Sequence, residues 1–165
     1  MPKGLVQKKK KRKGTKDERL KRSQILLDVT RRCASLANIQ DVWKELVSMT
    51  SYELDCDRGT LFLNDTETNE LFSFVAQGNL TREIRILNDS GIAGHVYQTG
   101  QAKISDDPYN DPLFNHEVDQ RTGYTTRNVA CVPVRTMAGD KIGVMQTLNK
   151  RAGEFNLDDL ELLED

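Results

Sequence analysis

Small, polar and turn-forming residues are concentrated between Arg85 and Lys150, where they could bind an anion. Within this stretch, residues 88–96 (NDSGIAGHV) have the composition of a helix start, with an Asp-Ser pair that can cap it. The first turn of a helix leaves backbone N–H groups without partners at the positive end of its dipole. The two glycines add no Cβ, so an anion could approach the N–H groups of Ile92 and Ala93 closely. The alternative is a buried helix start whose small residues serve packing alone.

A second polar segment, residues 119–128 (DQRTGYTTRN), contains hydroxyl groups at a helical spacing. Thr122 and Thr126 are four residues apart, so one turn of helix would place both on one face. There they could bond to ribose or phosphate oxygens. The alternative is a pair of turn and capping residues in an exposed loop.

No arrangement of reactive residues indicates catalysis. His95 and His116 have no evident Ser/His/Asp or Cys/His partners. The three cysteines, Cys33, Cys56 and Cys131, are odd in number and include no CxxC pair, which argues against a disulfide framework and a zinc site. With no P-loop in the sequence either, we expect a regulatory or binding domain that is not an enzyme.

Length and composition fit one domain. The chain has 165 residues, 37% of them hydrophobic, which is enough for a core but not for two full domains. No apolar run approaches the roughly 20 residues that a membrane-spanning helix needs, and the N-terminus lacks the apolar region of a signal peptide. We therefore expect a cytoplasmic location and no membrane span.

Charge is distributed unevenly along the chain. Residues 1–22 hold 11 Lys and Arg against two acids, giving +9, whereas residues 23–165 hold 13 against 23, giving −10. The run KKKKRK cannot pack, so we expect a disordered basic tail over residues 1–16 and a domain over 17–165. Such a tail could contact nucleic acid or an anionic membrane surface. The alternatives are a solubilising tail or one that folds back on the acidic domain.

Hydrophobic periodicity and turn residues predict an α+β domain. The connection at 105–127 is longer than most structureless loops and predicts a lid. The chain ends inside an amphipathic segment, so we expect the natural protein to continue into an output domain. The predicted helices cover 17–36, 39–54 and 91–100, with another starting at 157. The predicted strands cover 60–63, 71–76, 83–86, 102–104, 129–135 and 141–148.

Four segments carry a resemblance to a known family: EIRILNDSGIAGHVYQTGQ, DPLF, VDQRTGYTTRN and VACVPVRTMAGDKIGVMQTLNK. They resemble the GAF domains that regulate cyclic-nucleotide phosphodiesterases and cyanobacterial adenylyl cyclases, over roughly residues 39–163. The family signature also matches, at Asn149, Lys150, Phe155 and Asp159, although its last acidic position is Leu160 here. The resemblance implies the GAF fold, with a central antiparallel sheet of about six strands and helices on its faces. It also implies a structural salt bridge between Lys150 and Asp159.

The resemblance further implies a cyclic-nucleotide pocket. Its cyclic phosphate is expected at Ile92 and Ala93. Thr122 and Thr126 are expected to reach the ribose and phosphate from the lid, and Asp119 to contact the base.

Other expected pocket positions depart from the family pattern. Thr60 stands where relatives often have Ser, and its hydroxyl is expected to bond the base edge. Gln77 replaces an Asp, and Ala76 replaces an aromatic residue that stacks on the base. Asn115 and Gln146 occupy positions where some relatives have Tyr and Glu.

Two functions follow from the resemblance. The first is a ligand-sensing domain that binds a cyclic nucleotide and controls an attached cyclase or phosphodiesterase. Cyclic AMP is slightly preferred over cyclic GMP, because cyclase relatives use it and Gln77 replaces the recognising acid. The second is a GAF module that binds no small ligand and acts in dimerisation. In either case we expect a homodimer formed through the terminal helices, and no cofactor.

Overall fold

The computed structural model describes residues 15–34, 38–78 and 83–164. Six strands form one antiparallel sheet in the order β3-β2-β1-β6-β5-β4, so the mixed helix and strand fold predicted from the sequence is confirmed. The strands are β1 Cys56–Asp65, β2 Glu70–Ala76, β3 Arg85–Leu87, β4 Lys103–Ser105, β5 Val129–Arg135 and β6 Lys141–Lys150. The α-helices are α1 Lys16–Cys33, α2 Ile39–Glu53, α3 Gly91–Thr99, α4 His116–Thr122 and α5 Leu157–Glu164.

The sheet has a different apolar cluster on each face, because successive side chains of a strand point to opposite sides. On β1, Leu61 packs with Val47 of α2, and this side is called the α2 face. Its neighbour Phe62 packs with Ile92 and Val96 of α3, and this side is called the α3 face. Full burial of each such side chain contributes about 1.5–3 kcal/mol. The two clusters therefore fix which strand positions can reach a site beneath α3.

The central pair of strands is longer than the sequence pattern predicted. Polar residues at the end of β6 continue the ladder, and Cys56 of β1 pairs with Lys150. Backbone hydrogen bonding does not depend on apolar side chains, so the alternation of hydrophobic residues underestimates these strands. The predicted bounds of β5, 129–135, are confirmed.

The long connection at 105–127, called the lid below, has structure of its own. It contains a 3-10 turn at Pro108–Asn110 and helix α4. Helix α4 ends at Thr122, and Gly123 follows in the left-handed conformation with φ 67°. The prediction that Thr126 continues the same helical face is therefore wrong, because a glycine in this conformation terminates a helix.

The terminal helices cover the α2 face. Helix α1 leaves Leu20 and Leu27 exposed at 58% and 50%, while Ile25 and Val29 line a cavity of about 610 Å³ shared with α2, α5 and the sheet. Most of the predicted basic tail, residues 1–14, lies outside the described residues, and α1 already begins at Lys16. Across the part of the chain that the structure describes, no helix is long and apolar enough to cross a membrane.

Candidate functional site

The start of α3 is shaped by two glycines. Gly91 has φ 73°, a conformation that costs glycine little. A Cβ on Gly94 would lie 2.6 Å from the carbonyl carbon of Asp89, so only glycine lets the first turn pack this tightly on the preceding backbone. Ile92 and Ala93, the two predicted phosphate contacts, are both buried at 4% exposure within this turn. Their N–H groups belong to the set that a helix start leaves without intrahelical partners.

Ser90 does not cap α3 with its side chain, although the sequence offered it as a cap. Its hydroxyl instead accepts a hydrogen bond from Asn115 Nδ2 at 3.2 Å. Asn115 also caps α4, because its Oδ1 accepts from the Glu117 N–H at 3.0 Å. One predicted site residue thus joins the start of α3 to the start of the lid helix.

Asp119 is the central hydrogen-bond acceptor of the lid. Its carboxylate is 6% exposed and accepts from the Tyr109 hydroxyl at 2.9 Å, the Thr126 N–H at 2.7 Å and the Thr126 hydroxyl at 2.8 Å. The hydrogen bond to Asp119 is the main reason that the pKa of Tyr109 is raised. The Thr122 hydroxyl is likewise used within the lid, donating to the Val118 carbonyl at 2.8 Å. In this conformation Asp119, Thr122 and Thr126 therefore hold the lid together.

Two predicted site residues lie side by side on the sheet. Thr60 of β1 pairs with Gln146 of β6, and Gln146 pairs with Cys131 of β5. These positions share the α3 face, because Phe62 and Val144, two residues along the same strands, belong to the cluster under α3. Thr60 is 6% exposed and Gln146 is half-buried. Their polar groups consequently form a patch on the floor beneath α3 and the lid.

Gln77 lies apart from the other predicted residues. Its side-chain oxygen accepts from Ser51 Oγ at 2.6 Å and from the Gly59 N–H at 2.8 Å, which places it on the α2 face. Ala76 pairs with Thr60, and the next residue of an extended chain must point to the opposite side. The structure therefore gives Gln77 a role in fastening α2 to β1, away from the α3 face.

An open cleft of about 490 Å³ lies between the start of α3 and the lid, within the size range of small-molecule sites. Leu113, Phe114 and Val118 of the lid pack against the cluster under α3. Phe114 also contacts Tyr109 and His116, with ring centroids 5.3 and 5.1 Å away. A ligand that reaches from α3 to Thr60 must therefore displace apolar lid side chains. The cleft is lined by Ser90, Gly91, Pro112, Leu113, Phe114, Asn115, His116, Glu117 and Gln120.

Asn149 anchors the end of the lid to β6. It is 1% exposed with φ 58°, and its Oδ1 accepts from the Arg127 N–H at 2.6 Å. Its Nδ2 donates to the Tyr124 hydroxyl at 2.7 Å and to the Thr125 carbonyl at 2.9 Å. This set of bonds gives the signature asparagine a clear structural role.

The adjacent residue, Lys150, binds helix α5. Its Nζ lies 2.5 Å from Asp159 Oδ2, with the two side chains 14% and 13% exposed. Asp159 also accepts from the Asn156 N–H at 2.9 Å, while Asn156 Oδ1 accepts from the Asp159 N–H at 3.1 Å, a reciprocal cap of α5. Phe155 is buried beside Leu54, Cys56 and Ala130. The four signature residues thus hold α5 and the lid end against the sheet.

Sequence reasoning missed Arg58 and Tyr124. The Arg58 guanidinium lies over the Tyr124 ring, 3.9 Å from its centroid. Burial is the main cause that raises the pKa of Tyr124 to about 12, followed by the negative charge of Asp57. Arg58 could have been found from the sequence, since it lies two positions before Thr60 and so shares its face of the strand.

The polar groups of this site are suited to binding a ligand. Within the described ranges 15–34, 38–78 and 83–164, no group of three His, Cys, Asp or Glu residues could hold a metal ion. Cys56 and Cys131 are free and buried, and burial raises the pKa of both thiols. The polar groups that converge on the α3 face are hydroxyls, amides and main-chain N–H groups, which suit recognition of a ligand.

Several curated proteins have sequences similar to this chain. The chain is 30% identical over 153 residues to a protein from Drosophila melanogaster named dual 3',5'-cyclic-AMP and -GMP phosphodiesterase 11. It is 31% identical over 157 residues to the probable 3',5'-cyclic phosphodiesterase pde-5 of Caenorhabditis elegans. The matches cover 83% and 87% of this chain but only 10% and 21% of those proteins.

Solved structures share the fold at lower identity. The GAF domain from a phosphoenolpyruvate-protein phosphotransferase of Coxiella burnetii aligns with a TM-score of 0.77 at 18% identity, covering 87% of this chain and 86% of that one. A free methionine-R-sulfoxide reductase from Neisseria meningitidis aligns with a TM-score of 0.72 at 18% identity, covering 92% and 86%. Residues 38–165 match the family described as GAF domain. On the sequence match and the shared fold together, the chain belongs to the GAF domain family.

Proposed function

We propose that this GAF domain binds a cyclic nucleotide and regulates a signalling enzyme in the cytoplasm. The main support for this proposal is the start of α3. Its first turn contains two glycines and the buried residues Ile92 and Ala93, and Asn115 connects it to the lid. Main-chain N–H groups and a helix dipole attract an anion without a basic side chain. The two phosphodiesterase relatives support this ligand class, since their names refer to 3',5'-cyclic nucleotides.

In the proposed complex, the cyclic phosphate lies against Ile92 and Ala93 while the base extends toward Thr60 and Gln146. Thr122 and Thr126 would approach the ribose and phosphate. Their hydroxyl oxygens could accept from the ribose hydroxyl, whereas a bond to a phosphate oxygen requires each hydroxyl to donate to it in place of Val118 or Asp119. Asp119 would reach the base only after its bonds to Tyr109 and Thr126 rearrange.

Ligand binding in this proposal must remodel the lid. Leu113, Phe114 and Val118 now cover part of the α3 face, so the nucleotide competes with them for the same surface. A ligand shifts a conformational equilibrium only by the difference in its affinity for the two states. Lid rearrangement would therefore be the structural event that reports occupancy.

The preference for cyclic AMP loses one of its two supports. It relied on Gln77, whose side-chain oxygen is bonded to Ser51 and Gly59 on the α2 face. The likeness to cyclase regulators alone does not choose a base. Both nucleotides therefore enter the test as candidates.

The regulated partner is proposed to be an attached cyclase or phosphodiesterase, since the chain spans about a tenth and a fifth of the two phosphodiesterases compared above. The terminal helices are the proposed route of communication. Arg22 of α1 pairs with Glu161 of α5 at 2.9 Å, so movement of one terminal helix acts directly on the other.

The test measures thermal stability with each cyclic nucleotide. A ligand present at about 100 times its dissociation constant adds about 2.7 kcal/mol of stability. Ala93→Pro removes one N–H in the first turn of α3, where that group has no intrahelical acceptor to lose, and we expect a smaller ligand-induced shift. Ala93→Gly keeps the N–H and serves as the matched control. Absence of a shift with both nucleotides at millimolar concentration would refute the proposal.

A second candidate function is dimerisation without a small ligand. The exposed Leu20 and Leu27 on α1 favour it, because a second copy could bury them. Leu27→Glu is expected to reduce a dimer to monomer in sedimentation experiments. A wild-type dimer that binds neither nucleotide would favour this candidate, whereas a Leu27→Glu monomer that still binds nucleotide would separate the two roles.

A further inference from the structure

We propose that Arg58 reads the purine base of the bound nucleotide and favours guanine over adenine. The inference rests on the proposed function, because it names a specificity-determining residue of that same site. Arg58 was not among the residues that the sequence indicated for the pocket.

Strand register places Arg58 on the face of the sheet where the base is proposed to lie. It pairs with Leu148, which packs against the cluster under α3, and it precedes Thr60 by two positions. Its side chain therefore extends from the same floor as Thr60 and Gln146. The residue is half-buried, so a ligand on this floor would lie close to its charge.

The guanidinium lies close to two other parts of the chain. Its central carbon lies over the Tyr124 ring, 3.9 Å from the centroid, and Asn149 Nδ2 fixes that tyrosine by donating to its hydroxyl. Near the group is Gly78, with φ 103°, where a Cβ would lie 2.8 Å from the guanidinium carbon. Stacking of this kind restricts an arginine to one plane and directs its N–H groups outward at its edge.

Those N–H groups are available to a ligand. Among the described residues, the structure records no hydrogen bond or ion pair for the Arg58 guanidinium. The neighbouring carboxylate of Asp57 instead pairs with Arg151 at 3.1 Å and Arg127 at 3.7 Å. A cation that is stacked and half-buried but lacks an acidic partner is well suited to bind an acceptor-rich ligand.

Guanine fits this donor edge better than adenine. An arginine fork can donate two parallel hydrogen bonds to O6 and N7 of guanine, whereas adenine offers N7 beside an amino group that is itself a donor. Arg58 is therefore expected to contribute more to cyclic GMP binding than to cyclic AMP binding.

Calorimetric titration of both nucleotides tests the proposal. Arg58→Gln and Arg58→Lys should weaken cyclic GMP binding by roughly tenfold or more and cyclic AMP binding much less, as expected for loss of a bidentate base contact. The lysine variant keeps the charge but loses the fork. Arg127→Gln is the matched control, because Arg127 is also near Tyr124 but is exposed and paired with Asp57.

The outcomes separate this inference from the function on which it rests. Wild-type protein that binds neither nucleotide refutes the proposed function and the inference with it. Binding of both nucleotides with a preference that Arg58→Gln leaves unchanged, in a variant whose melting temperature shows that it is folded, overturns the inference alone. A selective loss of cyclic GMP affinity in both Arg58 variants, but not in Arg127→Gln, supports it.

Discussion

Removing one member of the Lys150–Asp159 pair should destabilise the domain more than removing both. The charged atoms are 2.5 Å apart, and the side chains are only 14% and 13% exposed. Lys150→Met leaves the Asp159 carboxylate with the Asn156 N–H as its remaining partner. Asp159→Asn keeps a capping oxygen but leaves the ammonium group near the Phe155 ring, 5.8 Å from its centroid.

Each single change should cost about 3 kcal/mol, the lower end of the range for an ion left buried without its partner. The double variant Lys150→Met, Asp159→Asn buries no unpaired charge and should cost about 1 kcal/mol. Urea unfolding of the four proteins measures these differences. In thermal melts, a difference of about 2 kcal/mol corresponds to roughly 4–8 °C for a domain of this size.

The exposed pair Arg151–Asp55 supplies the control, at 3.3 Å and 56% exposure for both side chains. The equivalent double-mutant cycle should give a coupling of less than about 1 kcal/mol, because solvent screens such pairs. The reasoning about buried charge is refuted if the double variant loses as much stability as a single variant, or as much as the two single losses added together.

Two further predictions concern Tyr124 and Gly94. Burial raises the pKa of Tyr124 to about 12, so this tyrosine ionises at lower pH in the unfolded chain, and the stability of the domain should fall between about pH 10 and 12. In urea unfolding at several pH values, Tyr124→Phe should flatten that decline. An unchanged slope would contradict the assignment. Gly94→Ala should lose about 1–3 kcal/mol, because the new Cβ meets the Asp89 backbone at 2.6 Å. A gain in melting temperature would show that the start of α3 is not tightly packed.

The sequence predicted elements better than it predicted the directions of individual side chains. The position of β5 follows from its apolar run at 129–134, which lies between Asn128 and Arg135. By contrast, the proximity of Thr60 and Gln146 depends on a strand register that connects residues far apart in the chain. The sequence assigned Ala76, the last residue of β2, and Gln77, which follows it, to one pocket, whereas in the structure they point to opposite faces of the sheet.

The lid was hardest to predict for a physical reason. Its order depends on Asp119, whose three hydrogen bonds join positions 109 and 126, and such bonds leave no periodic signal in the sequence. The same carboxylate could be recognised as a family position but not as the acceptor that organises the segment. Arg58 was overlooked because its stacking partner, Tyr124, lies 66 positions away.

The adjacent signature residues Asn149 and Lys150 connect the lid to helix α5 through the end of β6. Asn149 binds the end of the lid, and Lys150 binds helix α5. A twist of this strand end would therefore move both attachments. In the proposed function, a change of the lid on ligand binding would therefore reach α5, on the other side of the sheet, through two adjacent residues.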